Sequence, residues 1–381
     1  MKKRTVQAGI DRLGSSDTPD FLPWLGKSAK VGLITNPTGI TKNCTPTYEI
    51  LREKYDLCAL FSPEHGVRGD LQAGVPVEET VDSATGIRGY STYGTGRERA
   101  YEVMRSLDAV FFDIQDIGSR YYTYQYTMTD AMKVCAGAKV PFIVLDRPPV
   151  IGCVPQGNIL DRRFSSGVGK FPVAARTGLT VGEFAQYINA SEGLGCTLTV
   201  IPCGNITRST FLDETDLPFV NPSPNLPSVD CALIYVGACL IEGTNLSEGR
   251  GTTRPFELIG APWLRSRSLI DTLNRQPHDG CLFRETYFTP TFSKHQDELC
   301  AGIQIHVTDR QAFRPFDLAL RMIAAIREQN PEFEFLKTGV SHLFGSDAIL
   351  ADDFDPEEYL RSCEAPLAEY AEAIRSFFLY E

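Results

Sequence analysis

Five short and almost wholly apolar runs punctuate the first half of the chain, at residues 31–36, 57–61, 109–113, 141–146 and 198–201. Each is too short for a helix and rich in β-branched and aromatic side chains, so each is expected to be a strand. Residues 47–55, 97–107 and 122–138 lie between them with helix-like patterning. Strands that are apolar on both faces and alternate with helices predict a parallel sheet covered on both sides. The first half therefore reads as a doubly wound α/β domain.

The pattern changes after residues 217–230, which hold four prolines and no charge before Asp230. That composition suits an extended connector, because proline supplies no backbone donor for a helix or a central strand. The expected domains are 1–229 and 230–381. In the second, residues 302–307 alternate as a strand, and Phe316, Leu320, Ile323 and Ile326 share one face of a helix over 315–328. A closing helix is expected over 365–379, giving a smaller α+β domain. No internal repeat is present.

Charge narrows the partners. With 37 Lys and Arg against 48 Asp and Glu, the net charge is −11, and nucleic acid is set aside because its backbone needs clustered cations. Eleven cysteines show no CxxC spacing, so neither a zinc ribbon nor a thioredoxin motif is written here. Cys58, Cys231 and Cys239 sit in apolar runs and read as small core residues, which points to a reducing compartment. Met1-Lys-Lys-Arg4 lacks an apolar stretch behind it, and the longest apolar run, 231–241, is about half a membrane span. A soluble cytoplasmic protein with no membrane partner is expected.

The candidate chemistry lies where an open parallel sheet binds ligands, outside the carboxyl ends of its strands. Those ends read Asn36, Ser62-Pro-Glu-His-Gly66, Asp113-Ile-Gln-Asp116 and Asp146-Arg147. Asp146 alone suits a cap or a loop ion pair. Glu64, His65, Asp113 and Asp116 together must be solvated, paired or used. Beyond Asp116 come Gly118-Ser-Arg-Tyr-Tyr-Thr-Tyr124. Tyr121, Tyr122 and Tyr124 offer ring faces and hydroxyls suited to a sugar, or else pack on the sheet. Arg120 either forks a substrate carboxylate or clamps Asp113 or Asp116.

A second polar segment, Glu242-Gly-Thr-Asn-Leu-Ser-Glu-Gly-Arg-Gly-Thr-Thr253, combines glycines with Glu242, Asn245, Glu248, Arg250 and Thr252. It lacks the Gly-Lys-Ser/Thr ending of a phosphate loop. Tyr93-Gly-Thr-Gly96 has Arg99 in the third glycine position and no evident strand before it. No His-Glu-x-x-His, no Gly-x-Ser-x-Gly elbow and no histidine pair at ligand spacing occurs. Asp113 with Asp116 offers oxygens to a hard cation, but no required metal or organic cofactor is expected.

Six blocks carry a resemblance: Gly32-Leu-Ile-Thr-Asn-Pro-Thr-Gly39, Ser62-Pro-Glu-His-Gly-Val-Arg-Gly-Asp70, residues 113–124, Leu145-Asp-Arg-Pro148, Pro222-Ser-Pro-Asn-Leu-Pro227 and residues 242–253. In this order they resemble the bacterial exo-β-N-acetylmuramidases, long carried as an uncharacterised domain family. The resemblance spans nearly the whole chain. It implies a Rossmann-like domain, a smaller C-terminal domain and a site in the cleft between them. The implied reaction removes terminal N-acetylmuramic acid from the non-reducing end of peptidoglycan fragments, which in a cytoplasmic protein means recycling of imported cell-wall pieces.

Glycoside hydrolysis needs an acid for the leaving oxygen and a second group at the oxocarbenium-like centre. Glu64 is the first choice for the acid; Glu248, Asp116 or the substrate's own acetamido oxygen is the second. Arg250 or Arg120 is expected to read the lactyl carboxylate, with Asn36, His65, Asp113, Tyr121, Tyr122, Glu242, Asn245 and Thr252 as further substrate contacts. Two short facing loops suggest a pocket, hence exo action on a small-molecule substrate. The rival reading is a non-catalytic sugar-binding protein of two lobes. An acyl-transferring enzyme using Cys or Ser is disfavoured by the missing elbow.

Overall fold

The computed structural model describes residues 3–15, 17–63, 80–82, 85–336 and 339–381. Its strands, in chain order, are β1 (Lys30–Thr35), β2 (Asp56–Ser62), β3 (Thr80–Val81), β4 (Arg88–Ser91), β5 (Ala109–Asp113), β6 (Phe142–Leu145), β7 (Gln156–Ile159), β8 (Ala174–Arg176), β9 (Leu198–Ile201), β10 (Leu258–Ala261), β11 (Cys281–Phe288) and β12 (Cys300–Val307). The main sheet runs β3-β4-β2-β1-β5-β6-β9. Six of these strands are parallel, and only the edge strand β3 is antiparallel to β4. All five predicted strands are there. β1 and β5 are apolar on both faces because both are covered, with every residue from Val31 to Thr35 and from Ala109 to Asp113 buried.

The chain builds outward from β1 through β2 to β4, then returns to lay β5 against the other side of β1. That reversal makes the β1/β5 edge the switch point of the sheet. Pairing of Thr35 with Asp113 brings the two carboxyl ends level. Helices Thr47–Lys54, Arg97–Met104, Tyr124–Ala138 and Val181–Ser191 follow the strands. The last begins with a capping box, in which the Glu183 N–H donates to Thr180 Oγ1 and the Thr180 N–H to the Glu183 carboxylate.

After the proline-rich connector, Ser228 caps helix Val229–Ala238 by accepting the Cys231 N–H at 3.1 Å. All ten of this helix's residues except Asp230 are buried. It crosses helix Pro315–Gln329 closely enough that a Cβ on Gly237 would sit 1.9 Å from the Pro315 carbonyl oxygen, so only glycine fits. The smaller sheet is antiparallel, in the order β10-β12-β11. Phe316, Leu320, Ile323 and Ile326 are buried along one face as their spacing predicts.

Several expectations are corrected. The closing helix spans Pro356–Ile374 rather than 365–379, starting at an Asp355 cap and passing through Pro366, the residue that makes its beginning look broken. A strand, β4, does precede Tyr93-Gly-Thr-Gly96; its four residues include an arginine and a glycine and so give no apolar run. Cys231 and Cys239 are buried, but Cys58 is exposed on β2. Among the described residues no helix is long and apolar enough to cross a membrane.

Residues 379–381 return to the main sheet. Tyr380 Oη donates to Asp146 Oδ2 at 2.6 Å and accepts the Cys203 N–H at 2.8 Å. The Leu379 N–H donates to Glu183 Oε1, and the Arg208 N–H donates to the Glu381 carbonyl oxygen.

Candidate functional site

The rim at the switch point is self-satisfied. Asn36 Oδ1 accepts from both the N–H and the hydroxyl of Thr38 at 3.0 and 2.5 Å, and the Thr38 hydroxyl accepts the Gln115 N–H at 2.8 Å. Asp113 is fully buried in a two-pronged pair with Arg147, at 2.5 Å (Nε) and 2.8 Å (Nη2), and the Thr47 hydroxyl also donates to it. Asp146 accepts from Tyr380, Thr180, Gly182 and Arg147. Leu212, Leu217, Pro218 and Val220 fill the crevice above, leaving a cavity of about 10 Å³, room for a single water.

The expectations for Asp113 therefore change. Asp113, fully buried and paired with Arg147, is closed to a sugar and cannot join Asp116 on a cation, and the Asn36 side-chain oxygen is taken by Thr38.

Asp116 differs from its neighbours. Its Oδ1 accepts the Gly118 N–H at 2.7 Å, while its Oδ2 is buried without a hydrogen-bond partner among the described residues. Burial, opposed only by the backbone donors of Gly118 and Ile117, pushes this carboxyl up to about 7. Gly118 makes the turn possible with a φ of 76°.

Arg120 takes neither role considered for it. Its guanidinium is fully buried and donates to the carbonyl oxygens of Asn158, Val173, Leu343 and Phe344 and to Asn158 Oδ1. It ties the main sheet's loops to the short helix Val340–Phe344. The tyrosines are also buried: Tyr122 and Tyr124 meet edge-to-face at 4.9 Å, and Tyr124 Oη donates to the Pro222 carbonyl oxygen.

The 242–253 segment is folded down rather than open. Ser247 bridges to Gly260 of β10. Asn245 spends its amide on the backbone of Glu332 and Glu334, and the Thr252 hydroxyl donates to the Gly249 carbonyl oxygen. These hydrogen bonds hold the loop in place. Glu242, Glu248 and Arg250 do converge. Arg250 Nη2 lies 2.7 Å from Glu242 Oε1 and its Nε 3.2 Å from Glu248 Oε1. Glu248 is 2% exposed, whereas Arg250 and Glu242 keep about a third of their side-chain surface open (27% and 30%). Burial pushes the Glu242 carboxyl up, and Arg250 opposes that shift.

An aromatic chain links the two segments. Tyr121 stands 6.2 Å from Tyr235, Tyr235 stands 4.7 Å from Phe256, both edge-to-face, and the Arg250 guanidinium lies 5.1 Å over Phe256. Phe256 adopts a φ of 63°, unusual for a bulky residue. Tyr235, Phe256 and Lys294, which lies 2.9 Å from Glu248 Oε2, were missed in the sequence. Tyr235 and Phe256 look like ordinary core aromatics there, and only the polar run at 293–298 between two strands hints at Lys294. Glu64 and His65 lie outside the described residues.

Comparison with known proteins agrees along the whole chain. The family model described as exo-beta-N-acetylmuramidase NamZ, N-terminal, matches residues 31–230, and the corresponding C-terminal model matches 233–380. The chain is 43% identical over 387 aligned residues to the peptidoglycan beta-N-acetylmuramidase NamZ of Bacillus subtilis, covering 100% of this chain and 92% of that protein. Two crystal structures of DUF1343 family proteins from Bacteroides fragilis are similar. One has a TM-score of 0.88 at 29% identity with full coverage of both chains, the other 0.77 at 28% identity with 99% coverage of each.

Proposed function

The chain belongs to the exo-β-N-acetylmuramidase NamZ family, and we propose that it is a glycoside hydrolase releasing terminal N-acetylmuramic acid from the non-reducing end of peptidoglycan fragments. The observation that carries this reading is the match of both halves of the chain to that family. We divide it into domains 1–229 and 230–381, with the substrate held where the 113–124 and 242–253 segments approach through the Tyr121–Tyr235–Phe256 chain.

The proposed roles of Asp116, Glu248 and Arg250 follow from environment, and that of Glu64 from its place in the sequence. Glu64, next but one after the end of β2, delivers the proton to the leaving oxygen. Asp116 works as a neutral carboxyl, because a buried acid without a cation keeps its proton near pH 7 and can donate it or share it in a hydrogen bond. Glu248, in contact with two cations, is the group that faces the oxocarbenium-like centre. Arg250, partly open and stacked on Phe256, reads the lactyl carboxylate.

The test is product analysis on a defined glycan chain. Free N-acetylmuramic acid and a shortened chain are expected at early times; internal fragments would overturn exo action, and binding without turnover would favour the two-lobe binding protein. Arg250→Ala should weaken muramic substrates far more than glucosamine analogues, and equal losses would remove Arg250 from recognition.

Asp116 also sets a pH dependence. The carboxyl is neutral below about 7 and charged above it, so kcat/KM should fall as pH rises through about 7. In Asp116→Asn the falling limb near 7 should move, leaving only the one set by the general acid. A limb of unchanged position in the variant would assign it to another group.

We further place the protein in a reducing cytoplasm, acting on imported fragments in cell-wall recycling, since all eleven cysteines are free and eight are buried. Cell fractionation with an antibody decides this.

A further inference from the structure

We infer that Lys294, on the connection between β11 and β12, is a positioning residue that fixes the Glu248 carboxylate for the reaction proposed above, a reading on which this inference rests. Its ammonium donates to the Ile241 and Thr244 carbonyl oxygens, both at 2.9 Å, and stands 2.9 Å from Glu248 Oε2. Ile241 belongs to the 3₁₀ turn Cys239–Gly243, which continues helix Val229–Ala238, and Thr244 follows it. Carbonyls at a helix end favour a cation, and the Ile241 oxygen takes the ammonium beside the N–H and hydroxyl of Thr244. One ammonium therefore anchors the turn that carries Glu242 and pairs by charge with Glu248, whose Oε2 accepts no hydrogen bond among the described residues. Arg250 Nε meets the other oxygen, Oε1, at 3.2 Å. A carboxylate that is only 2% exposed needs such partners to stay in place.

The backbone around Lys294 is built for this placement. Ser293, His295 and Asp297 have φ values of 73°, 56° and 63°, so alternate non-glycine residues occupy the left-handed region. Conformations of this kind persist where their surroundings enforce them, and they gather at functional sites. The enforcing contacts are visible. The Thr291 N–H and hydroxyl both reach the Gly251 carbonyl oxygen at 3.0 Å, the His295 ring Nε2 lies 2.7 Å from the Asn245 carbonyl oxygen, and the Asp297 N–H donates to the Pro290 carbonyl oxygen at 2.8 Å. The connection thus grips the 242–253 segment at both ends and presents Lys294 to its middle.

A double-mutant cycle on the full-length enzyme tests the inference, using a disaccharide with N-acetylmuramic acid at its non-reducing end. Lys294→Met should lower kcat by about thirtyfold with KM changed by less than about threefold, because placement of Glu248 matters more in the transition state than in substrate binding. In a Glu248→Gln background the same change should cost almost nothing more, since a residue acting through Glu248 has nothing left to position. If Lys294→Met does not fold, the cycle is run with Lys294→Arg, which keeps the charge and alters its reach. Additive losses, or an unchanged kcat in a folded variant, overturn the inference while leaving the proposed function standing. A wild-type enzyme that leaves the disaccharide uncut overturns both.

Discussion

Glu64→Gln should cut turnover of a natural muramic disaccharide by about a hundredfold or more, the usual scale for losing a general acid. A β-N-acetylmuramide of nitrophenol should lose far less. Nitrophenolate departs without a proton, whereas the alkoxide of a sugar does not, so only a proton donor produces this split between leaving groups. The motive is sequence position: Glu64 comes two residues after Ser62, the last residue of β2, the strand paired with β1. Asp116→Asn is the control. If Asp116→Asn shows the leaving-group split and Glu64→Gln does not, the proton comes from Asp116. Near-normal turnover of the disaccharide by Glu64→Gln would end its candidacy.

The largest effect on stability is expected at Asp113. Asp113→Ala should lower the unfolding free energy by about 3–5 kcal/mol, because it strands a buried guanidinium that has already lost its water. Arg147 is 5% exposed and gives Asp113 both Nε and Nη2. The cost is therefore mainly desolvation without compensation. Asp113→Leu combined with Arg147→Met should recover much of it, since an apolar pair of similar volume has no charge to leave bare. Chemical denaturation of the two variants provides the measurement. A double variant no more stable than Asp113→Ala would mean that the pair contributes shape or a backbone restraint rather than charge balance.

Much of the main sheet is legible in the sequence because its strands are buried on both faces: Ala109-Val-Phe-Phe112 has no polar side and leaves no other reading for so short a run. The helix carrying Phe316, Leu320, Ile323 and Ile326 is equally plain from its period. β4, with Arg88 and Gly89, lacks an apolar run, and Pro366 hides the first half of the closing helix, although its local preference is overridden by the surrounding turns. At the candidate site, residue types are visible but their employment is not. Asp113 and Asp116 look alike in sequence, yet one meets Arg147 and the other meets only backbone N–H groups. That difference depends on a residue 34 positions from Asp113. Arg120 likewise resembles a ligand-reading arginine until its carbonyl partners at Leu343 and Phe344, more than 220 residues away, come into view.

The attachment of Tyr380 to Asp146 has a consequence for the order of events during synthesis. The two residues are 234 positions apart, and Asp146 follows a strand of the sheet that leaves the ribosome long before Tyr380 is made. With Leu379 on Glu183 and Glu381 on Arg208, residues synthesised late fill acceptor and donor positions prepared early. Loops of this length close slowly because their ends must find each other against chain entropy. The early sheet is therefore expected to stay incompletely fixed until this segment emerges. Nascent chains arrested just short of residue 378 should remain protease-sensitive along β6 and β9, and protection should arrive once residues 379–381 are free to dock.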